Sequence, residues 1–229
     1  MENNIENNRL QIVTMELGPA ITNTYLLGDP TTEKALVIDP AWDGDVIVQQ
    51  ARQRHWEITQ IWLTHAHFDH FGGVAQIAEA SSQPIEVALH QKDFPLWEAH
   101  GGASLFGFPK FDPGPKPTII LEDRMQMKFC DYSFEVHHTP GHSLGHVIFL
   151  LHEARVVFSG DLVFMQSVGR TDLPGGSWET LLQSIQENIL TLPDDYQLLP
   201  GHGPATTVGQ ERRSNPFLQG TAGGELPFL

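Results

Sequence analysis

A histidine-rich run in the first third of the chain has the residue types and spacing of a metal site. The run Thr64-His65-Ala66-His67-Phe68-Asp69-His70 contains three imidazoles and one carboxylate. Residues two apart in extended backbone point the same way, so His65 and His67 can bind one ion. Asp69 and His70 face a second direction as the chain turns. These ligands suit zinc, manganese or iron, and the single cysteine of the chain excludes a thiolate site.

Three later segments each end an apolar run with a candidate ligand beside glycine. They are Thr139-Pro140-Gly141-His142, Phe158-Ser159-Gly160-Asp161 and Leu199-Pro200-Gly201-His202. The glycine lets the backbone approach a crowded centre, and the preceding strand fixes where the side chain emerges. Together with the histidine-rich run they supply five histidines and two aspartates. This count fits two metal ions that share a bridging carboxylate and keep open positions for water and substrate.

The candidate ligands must be positioned by strands, because each group follows an apolar stretch. Residues 58–63 predict a buried strand, and Gly72-Gly73 opens a predicted helix that runs to residue 80. The pattern predicts further strands over 10–16, 22–27, 35–38, 85–89, 118–121, 125–129, 134–138, 146–151, 155–158 and 196–199. Ser177 is expected to cap a helix with an apolar stripe from Trp178 to Ile189. The chain is therefore predicted to be an α/β protein with two sheets interrupted by helices.

Several other polar residues have two interpretations. Asp39 either orients a ligand histidine or serves as a turn residue before Pro40. Asp93 is predicted to be structural, as a helix cap. Histidines outside the site are interpreted as packing or supporting residues (His90, His137, His138, His146) or as solvated loop residues (His55, His100, His152). Cys130 is interpreted as a packing residue and not as a catalytic thiol.

Substrate contacts are expected from cationic residues. The proline- and glycine-rich segment 98–117 is predicted to cover the metal centre as a lid and to add Lys110 or Lys116 to the pocket. The alternative is that its aromatic residues only pin a loop to the surface. Arg170 follows a candidate ligand closely, and Arg212 and Arg213 are further candidates for binding substrate carboxylates. The alternative for this last pair is a surface ion pair with acidic neighbours.

Composition sets limits on the class of protein. A length of 229 residues predicts one domain, 1–229, with residues 1–8 and 219–229 as flexible ends. The formal charge of −15 argues against nucleic acid or an anionic membrane as partner and favours an enzyme acting on a small molecule. No apolar run has membrane-spanning length and no basic secretory leader is visible, so a cytoplasmic location is expected. Oligomeric state is left open.

The ordered pattern His-x-His-x-Asp-His, His, Asp, His resembles the metallo-β-lactamase superfamily over about residues 10–218. The resemblance implies a four-layer αββα sandwich with ligands along one rim. It implies that His65, His67 and His142 hold one metal ion, that Asp69, His70 and His202 hold a second, and that Asp161 bridges them. Zinc is the expected metal, with iron and manganese as alternatives. A hydroxide held between the ions would be the nucleophile, and Asp69 would orient it.

Within that superfamily, two segments look like the compact bacterial form of the hydroxyacylglutathione hydrolase (glyoxalase II) group. They are Gly169-Arg170-Thr171-Asp172 and Glu211-Arg212-Arg213-Ser214-Asn215-Pro216-Phe217. The resemblance implies hydrolysis of a glutathione thioester such as S-lactoylglutathione. Asp161 occupies the place where many β-lactamases have cysteine, which argues against β-lactam hydrolysis. The alternatives are a persulfide dioxygenase with one iron on His65, His142 and Asp161, and a lactonase or phosphodiesterase.

Overall fold

The computed structural model describes residues 2–4 and 10–219, and its first half forms a seven-stranded sheet. The strands lie side by side in chain order: β1 (Glu2–Asn4), β2 (Gln11–Leu17), β3 (Thr22–Asp29), β4 (Lys34–Ile38), β5 (Glu57–Trp62), β6 (Glu86–His90) and β7 (Ile119–Leu121). Pairing is antiparallel from β1 to β4 and parallel from β4 to β7. Parallel neighbours need crossover connections. Helices α1 (Gly44–Gln53), α2 (Phe68–Phe71), α3 (Val74–Ala80) and α4 (Phe94–Glu98) lie in those crossovers.

The second half of the chain forms a six-stranded sheet. The elements of this half of the chain are β8 (Gln126–Phe129), β9 (Tyr132–His138), β10 (Val147–Leu151), β11 (Val156–Gly160), β12 (Val163–Phe164), β13 (Ser167–Val168), α5 (Trp178–Asn188), β14 (Gln197–Pro200), β15 (Thr206–Thr207), α6 (Val208–Ser214) and α7 (Pro216–Gln219). The strand order is β15-β14-β11-β10-β9-β8, while β12 and β13 form a separate hairpin. Only the β11–β14 pair is parallel among the described strands of this sheet, and α5 lies in the connection between the two.

Alternation of side chains along the strands produces four layers. In β4, Leu36 and Ile38 belong to a core that also contains residues of the second sheet, whereas Val37 belongs to the core beneath α1 and α3. In β10, Phe149 lies between the sheets and Ile148 packs toward α5. Because successive strand residues point to opposite faces, each central strand contributes to two cores. The arrangement is helices, sheet, sheet, helices, which confirms the predicted αββα sandwich.

The core between the sheets is centred on Trp62, the last residue of β5. Its ring lies 5.1 Å from the Phe134 ring and 5.3 Å from the Phe149 ring, measured between centroids. All three side chains are fully buried. The same strand continues directly into the histidine-rich run, so packing between the sheets fixes where that run begins.

The predicted chain ends are only partly covered by the described residues. Within the predicted ends, residues 2–4 form β1, which pairs antiparallel with β2, and residue 219 ends α7. The remaining predicted ends, 1, 5–8 and 220–229, lie outside the described residues. Among the described helices, none has the length and apolar content needed to cross a membrane.

Truncating Phe149 to alanine tests the packing between the sheets. The side chain is fully buried against Trp62, so removing it leaves a cavity and should lower the free energy of unfolding by about 3–5 kcal/mol. Denaturant-induced unfolding measures the change. Ile120→Ala is the control, because this β7 side chain is 38% exposed and should cost far less. Equal losses in both variants would contradict the assigned core.

Candidate metal centre

The seven predicted ligands meet at one edge of the sandwich because each follows a strand. The run from His65 to His70 follows β5, His142 lies in the turn between β9 and β10, Asp161 follows β11, and His202 follows β14. His67 is the residue before α2, which begins at Phe68 and makes a single turn. This short helix turns Asp69 and His70 away from the direction of the preceding extended residues. Sequence analysis predicted this change of direction without the helix.

Strand β3 of the first sheet holds the end of β14 in place. The Asn23 backbone N–H donates to the Gly201 carbonyl at 2.7 Å, and Asn23 Nδ2 donates to the Pro200 carbonyl at 2.9 Å. Tyr25 Oη donates to that same carbonyl at 2.6 Å. The loop that carries His202 is thereby fixed to the opposite sheet, close to the ligands that follow β5.

The ligand atoms form two adjacent groups. In the first, His142 Nε2 lies 2.8 Å from His67 Nδ1 and 3.2 Å from His65 Nε2. In the second, Asp69 Oδ2 lies 3.2 Å from His202 Nε2 and 3.6 Å from His70 Nε2. Within each group all ligand atoms lie within 4.8 Å of one another, a separation that one bound ion can span.

Asp161 lies between the two groups. Its Oδ2 is 3.4 Å from His142 Nε2 and 3.6 Å from His202 Nε2, and its Oδ1 is 3.3 Å from His70 Nε2. A Cβ atom at Gly201 would lie 2.2 Å from Asp161 Oδ1, so only glycine fits beside this carboxylate. Gly160 has a φ of 47° and leaves no room for a side chain against Thr64. These two glycines have the role predicted from the sequence.

Two buried atoms at this point fit a metal ion. His70 Nε2 and Asp161 Oδ1 have no hydrogen-bond partner in the part of the chain that the structure describes. Buried polar atoms without partners are rare because each costs free energy, and a cation between these two would satisfy both. Three overlapping groups of His and Asp side chains, found among the residues that the structure describes, imply a dinuclear metal site.

The electrostatics of the site also favour bound cations. Burial, reinforced by the neighbouring His70 and His142, holds the pKa of His65 well below its usual range, so this imidazole is neutral. Burial also disfavours a charge on His70, but Asp161 and Asp69 outweigh that effect and raise the pKa of His70 well above its usual range. The two carboxylates therefore stabilise positive charge where they face this ring, and a divalent ion would supply it.

Asp39 fixes the orientation of ligand rings in both groups. Its Oδ2 accepts from the Thr64 hydroxyl at 2.6 Å and lies 3.0 Å from His70 Nδ1. Its Oδ1 accepts from the Thr64 backbone N–H at 2.7 Å. Because the Thr64 hydroxyl donates to Asp39, it accepts from His65 Nδ1, 3.0 Å away. Both rings therefore direct Nε2 toward the centre, which confirms the interpretation of Asp39 as an orienting residue.

Two further contacts support the ligands from the second sheet. His142 Nδ1 donates to the Arg170 carbonyl at 2.8 Å, which leaves Nε2 free to face the centre. His146 Nε2 accepts from the backbone N–H of Asp161 at 3.0 Å, and its Nδ1 lies 2.9 Å from the Thr139 hydroxyl. His146 is fully buried, in agreement with its predicted supporting role.

Asp93 has a structural role, but it is not the predicted helix cap. Its carboxylate makes no capping bond to α4. Instead Oδ2 accepts from the Ala66 backbone N–H at 3.0 Å and from the Ser143 hydroxyl at 2.7 Å, while Oδ1 accepts from the Gly145 backbone N–H at 2.6 Å. The buried carboxylate thus joins the loops that carry the two halves of the first ligand group. Sequence reasoning missed this contact because its partners come from distant segments.

A cavity of about 280 Å³ opens onto the ligands. Its lining consists of Pro19, Ala20, His67, Phe68, Asp69, Phe106, Phe108, His142, Asp161, Arg170, Leu173 and His202. Arg170 is the one predicted substrate contact among them. Its Nε and Nη2 donate to the two carboxylate oxygens of Asp172, each at 2.7 Å. Another cavity, of about 220 Å³, lies between α1 and α3 and contains none of the predicted ligands.

The other predicted cationic contacts lie elsewhere. Lys110 is exposed and does not line the cavity, and the Lys116 ammonium lies 5.8 Å from the centre of the Phe94 ring. Arg212 Nη2 donates to the backbone carbonyls of Leu190 and Leu192, after α5, and Nη1 forms an ion pair with Asp194. Arg213 also pairs with Asp194. The structure therefore does not bring Lys110, Arg212 or Arg213 to the cavity that opens onto the ligands.

The segment 98–117 borders the cavity through its aromatic residues and not through its lysines. Phe106 and Phe108 belong to the cavity lining, and His100 Nδ1 donates to the Phe111 carbonyl at 2.9 Å. His100 therefore closes the segment on itself and is not the solvated loop histidine that was predicted. His55 and His152 are exposed.

A buried acid fixes the β12–β13 hairpin beside the ligands. Glu211 Oε2 accepts from the Gln166 backbone N–H at 2.8 Å and from Asn215 Nδ2 at 2.9 Å. Asn215 Nδ2 also donates to the Ser167 carbonyl at 2.9 Å. The hairpin places the Phe164 ring 5.9 Å from the His202 ring. The motif around Glu211 thus fixes the β12–β13 hairpin near the ligands, a role that was not predicted from the sequence.

The profile of the Metallo-beta-lactamase superfamily matches residues 17–202. The matched range begins at the end of β2 and ends at His202, so it contains every candidate ligand. The chain belongs to this superfamily of metal-dependent hydrolases, as its four-layer fold and its clustered histidines and aspartates lead one to expect.

Three individual proteins are similar to this chain over most of its length. Hydroxyacylglutathione hydrolase GloC of Haemophilus influenzae is 36% identical over 186 residues, which cover 81% of this chain and 88% of GloC. The crystal structure of BLEG-1, a B3 metallo-beta-lactamase, has a TM-score of 0.84 and 39% identity, covering 91% of this chain and 100% of that one. TTHA1623 in a di-iron-bound form has a TM-score of 0.81 and 41% identity, covering 90% and 100%.

Replacing Asp161 with alanine should abolish metal retention and activity together. The carboxylate lies between both ligand groups, so its loss removes a donor from each. Elemental analysis of the purified variant measures bound metal. His152→Ala is the control, because this exposed residue contacts Glu135 and Tyr196 far from the ligands and should retain wild-type metal content. Normal metal content in the Asp161 variant would contradict the assignment.

Replacing Asp39 with asparagine should weaken metal binding by about 10- to 100-fold, because an amide cannot accept all the hydrogen bonds that orient His65 and His70. Competition with a chromophoric chelator measures the affinity. Asp45→Asn makes the same chemical change at an exposed site in the first turn of α1 and should leave affinity unaltered. An unchanged affinity in the Asp39 variant would reject its orienting role.

Proposed function

We propose that this protein hydrolyses glutathione thioesters of the S-lactoylglutathione type. The single observation that carries the proposal is the pair of adjacent ligand groups, with Asp161 between them, on the wall of an open cavity. Similarity to GloC, described as a hydroxyacylglutathione hydrolase, supports the choice of substrate. The protein's metal-dependent chemistry would then be directed at a thioester carbonyl.

In the proposed site, one ion would be held by His65, His67 and His142. The other would be held by Asp69, His70 and His202, with Asp161 between the two groups. Zinc is the proposed metal, and iron has support from the di-iron form of TTHA1623. When bound, two such metal ions polarise a substrate carbonyl and lower the pKa of a bound water molecule. Three of the five histidine rings are already oriented, because their other nitrogens are hydrogen-bonded to Thr64, Asp39 and the Arg170 carbonyl; they are His65, His70 and His142.

Asp69 is proposed to orient the attacking water. Its side chain lines the cavity, and Thr22 Oγ1 donates to its Oδ2 at 3.0 Å, which fixes the carboxylate plane. Burial opposes ionisation of Asp69, but His70 and the hydrogen bond from His202 outweigh burial and lower its pKa to about 2. Asp69 is therefore a carboxylate at neutral pH, and it can accept a hydrogen bond from water.

Thioesters suit this lining because their leaving group needs little assistance. A thiol has a pKa near 8.5, so the thiolate can depart without a strong proton donor. The cavity contains no lysine or tyrosine among its described lining residues that could serve as such a donor. Arg170 is the proposed contact for a carboxylate of the glutathione arm, since its guanidinium is at the rim and is oriented by Asp172.

Other reactions of the superfamily are alternatives to thioester hydrolysis. β-Lactam hydrolysis is the second candidate, favoured by the similarity to BLEG-1, although Asp161 stands in place of the cysteine of many β-lactamases. A dioxygenase with one iron would need only His65, His142 and Asp161, and the adjacent group of Asp69, His70 and His202 argues for hydrolysis instead. No described feature favours a lactonase or phosphodiesterase.

Protein loaded with zinc, iron or manganese should release free glutathione from S-lactoylglutathione. A thiol-reactive chromophore follows the release, and a chelator should stop it until metal is restored. A chromogenic β-lactam and an oxygen electrode with glutathione persulfide test the alternatives in parallel. No thiol release with any of the three metals would reject the proposal, and turnover of the β-lactam alone would replace it with the second candidate.

A further inference from the structure

One wall of the metal cavity consists of aromatic rings. Phe68 lies within the histidine-rich run, between His67 and Asp69, and its ring centroid is 5.3 Å from that of Phe106 and 5.0 Å from that of Phe108. All three phenylalanines line the cavity. The wall therefore begins directly beside two of the proposed ligands, where the reacting end of a substrate must lie.

The wall is held in place from behind. The Trp42 ring lies 6.5 Å from the Phe68 ring, 6.4 Å from the Phe108 ring and 5.2 Å from the Phe111 ring. Gly101 approaches so closely that a Cβ atom there would lie 2.2 Å from the Phe68 nitrogen, and its φ is 63°. Segment 98–117 thus packs against the ligand loop. Phe108 contacts both Trp42 and Phe68, whereas Phe106 is 41% exposed and packs on Phe68.

Apart from the ligands, the rest of the cavity lining offers few charged partners for a substrate. Pro19, Ala20 and Leu173 are apolar, and Arg170 is the one permanently cationic residue among the described lining residues. Its guanidinium is paired with Asp172 and lies 5.8 Å from the centre of the Phe106 ring. A glutathione arm carries two carboxylates, which the negative faces of aromatic rings do not attract, and one strongly hydrated ammonium group. The acyl arm is the part of the substrate whose chemistry can fit there.

We propose that the aromatic wall selects thioesters with an aromatic acyl arm, and that Phe106 and Phe108 are specificity-determining residues. This inference rests on the proposed thioester hydrolysis and adds the class of acyl group. An aromatic ring on the acyl arm stacks against these side chains and is removed from water, whereas a lactoyl methyl group covers little of the wall. Burying the larger group is expected to favour the aromatic substrate at least about tenfold.

Binding can be measured without catalysis. S-Benzylglutathione and S-methylglutathione are thioethers without a thioester carbonyl, so the metal-loaded protein has no thioester bond to hydrolyse, and calorimetric titration gives their affinities. The S-benzyl compound should bind at least about tenfold more tightly than the S-methyl compound. In Phe106→Ala and Phe108→Ala this preference should fall severalfold, mainly because the S-benzyl compound binds more weakly. Leu105→Ala is the matched control, since Leu105 is 64% exposed and does not line the cavity.

Kinetics provide the second arm of the test. Mandeloylglutathione differs from lactoylglutathione by a phenyl group in place of a methyl group, and its kcat/KM should be at least about tenfold higher. Phe106→Ala should remove this advantage by raising KM for mandeloylglutathione, whereas Leu105→Ala should keep both the advantage and the kcat for lactoylglutathione. Thermal unfolding should confirm that both variants are folded.

The outcomes separate this inference from the function on which it rests. Equal affinities for the two thioethers, or failure of both to bind, would overturn the aromatic selection even if thioesters are cleaved. A preference for the S-benzyl compound that survives in both phenylalanine variants would also overturn it. A wall-dependent preference in a protein that cleaves neither thioester would support the wall as a binding site and reject thioester hydrolysis.

Discussion

The structure must keep polar ligand atoms close together in a place that water hardly reaches. Of the seven candidate ligands, six are buried, and only His202 is partly exposed. Buried polar groups are costly unless they are hydrogen-bonded or bind an ion. The surrounding chain supplies hydrogen bonds through Asp39, Thr64, His146 and backbone groups. His70 Nε2 and Asp161 Oδ1 have no such partner among the described residues and are available to bind an ion.

The four-layer fold meets this constraint by joining two sheets at one edge. Trp62 packs between the sheets and ends β5, so the first ligand loop starts from a rigid point. Asn23 and Tyr25 bind the loop of His202 from the first sheet, and Asp93 joins the first ligand loop to the turn of His142. The centre is thus fixed by contacts between segments distant in sequence, and the aromatic wall is attached to the same loop.

Much of this could be predicted from sequence where the signal is local. The spacing of His65, His67, Asp69 and His70, and the glycine beside each later ligand, identified the site because ligand chemistry leaves a short pattern. The Ser177 cap was also correct, since Ser177 Oγ accepts from the Thr180 backbone N–H. Short apolar runs predicted most strands, and the sandwich followed from resemblance to the superfamily.

What could not be predicted depends on contacts between distant segments. Asp93 looked like a helix cap because its partners, the Ala66 and Gly145 backbone N–H groups and the Ser143 hydroxyl, lie far away along the chain. Arg212 was assigned to substrate because nothing local reveals that the carbonyls after α5 would bind it. The role of Glu211 has the same origin, since its partners Thr206 and Gln166 come together only when the hairpin folds.

The central claim is that two cations lie side by side at this edge, with Asp161 shared between them. A crystal of the metal-loaded protein, measured at the absorption edge of the metal, tests it most directly. The account predicts two anomalous peaks, one within coordination distance of His65, His67 and His142 and one beside Asp69, His70 and His202, with an Asp161 oxygen reaching both. A single peak, or peaks away from these side chains, would contradict it.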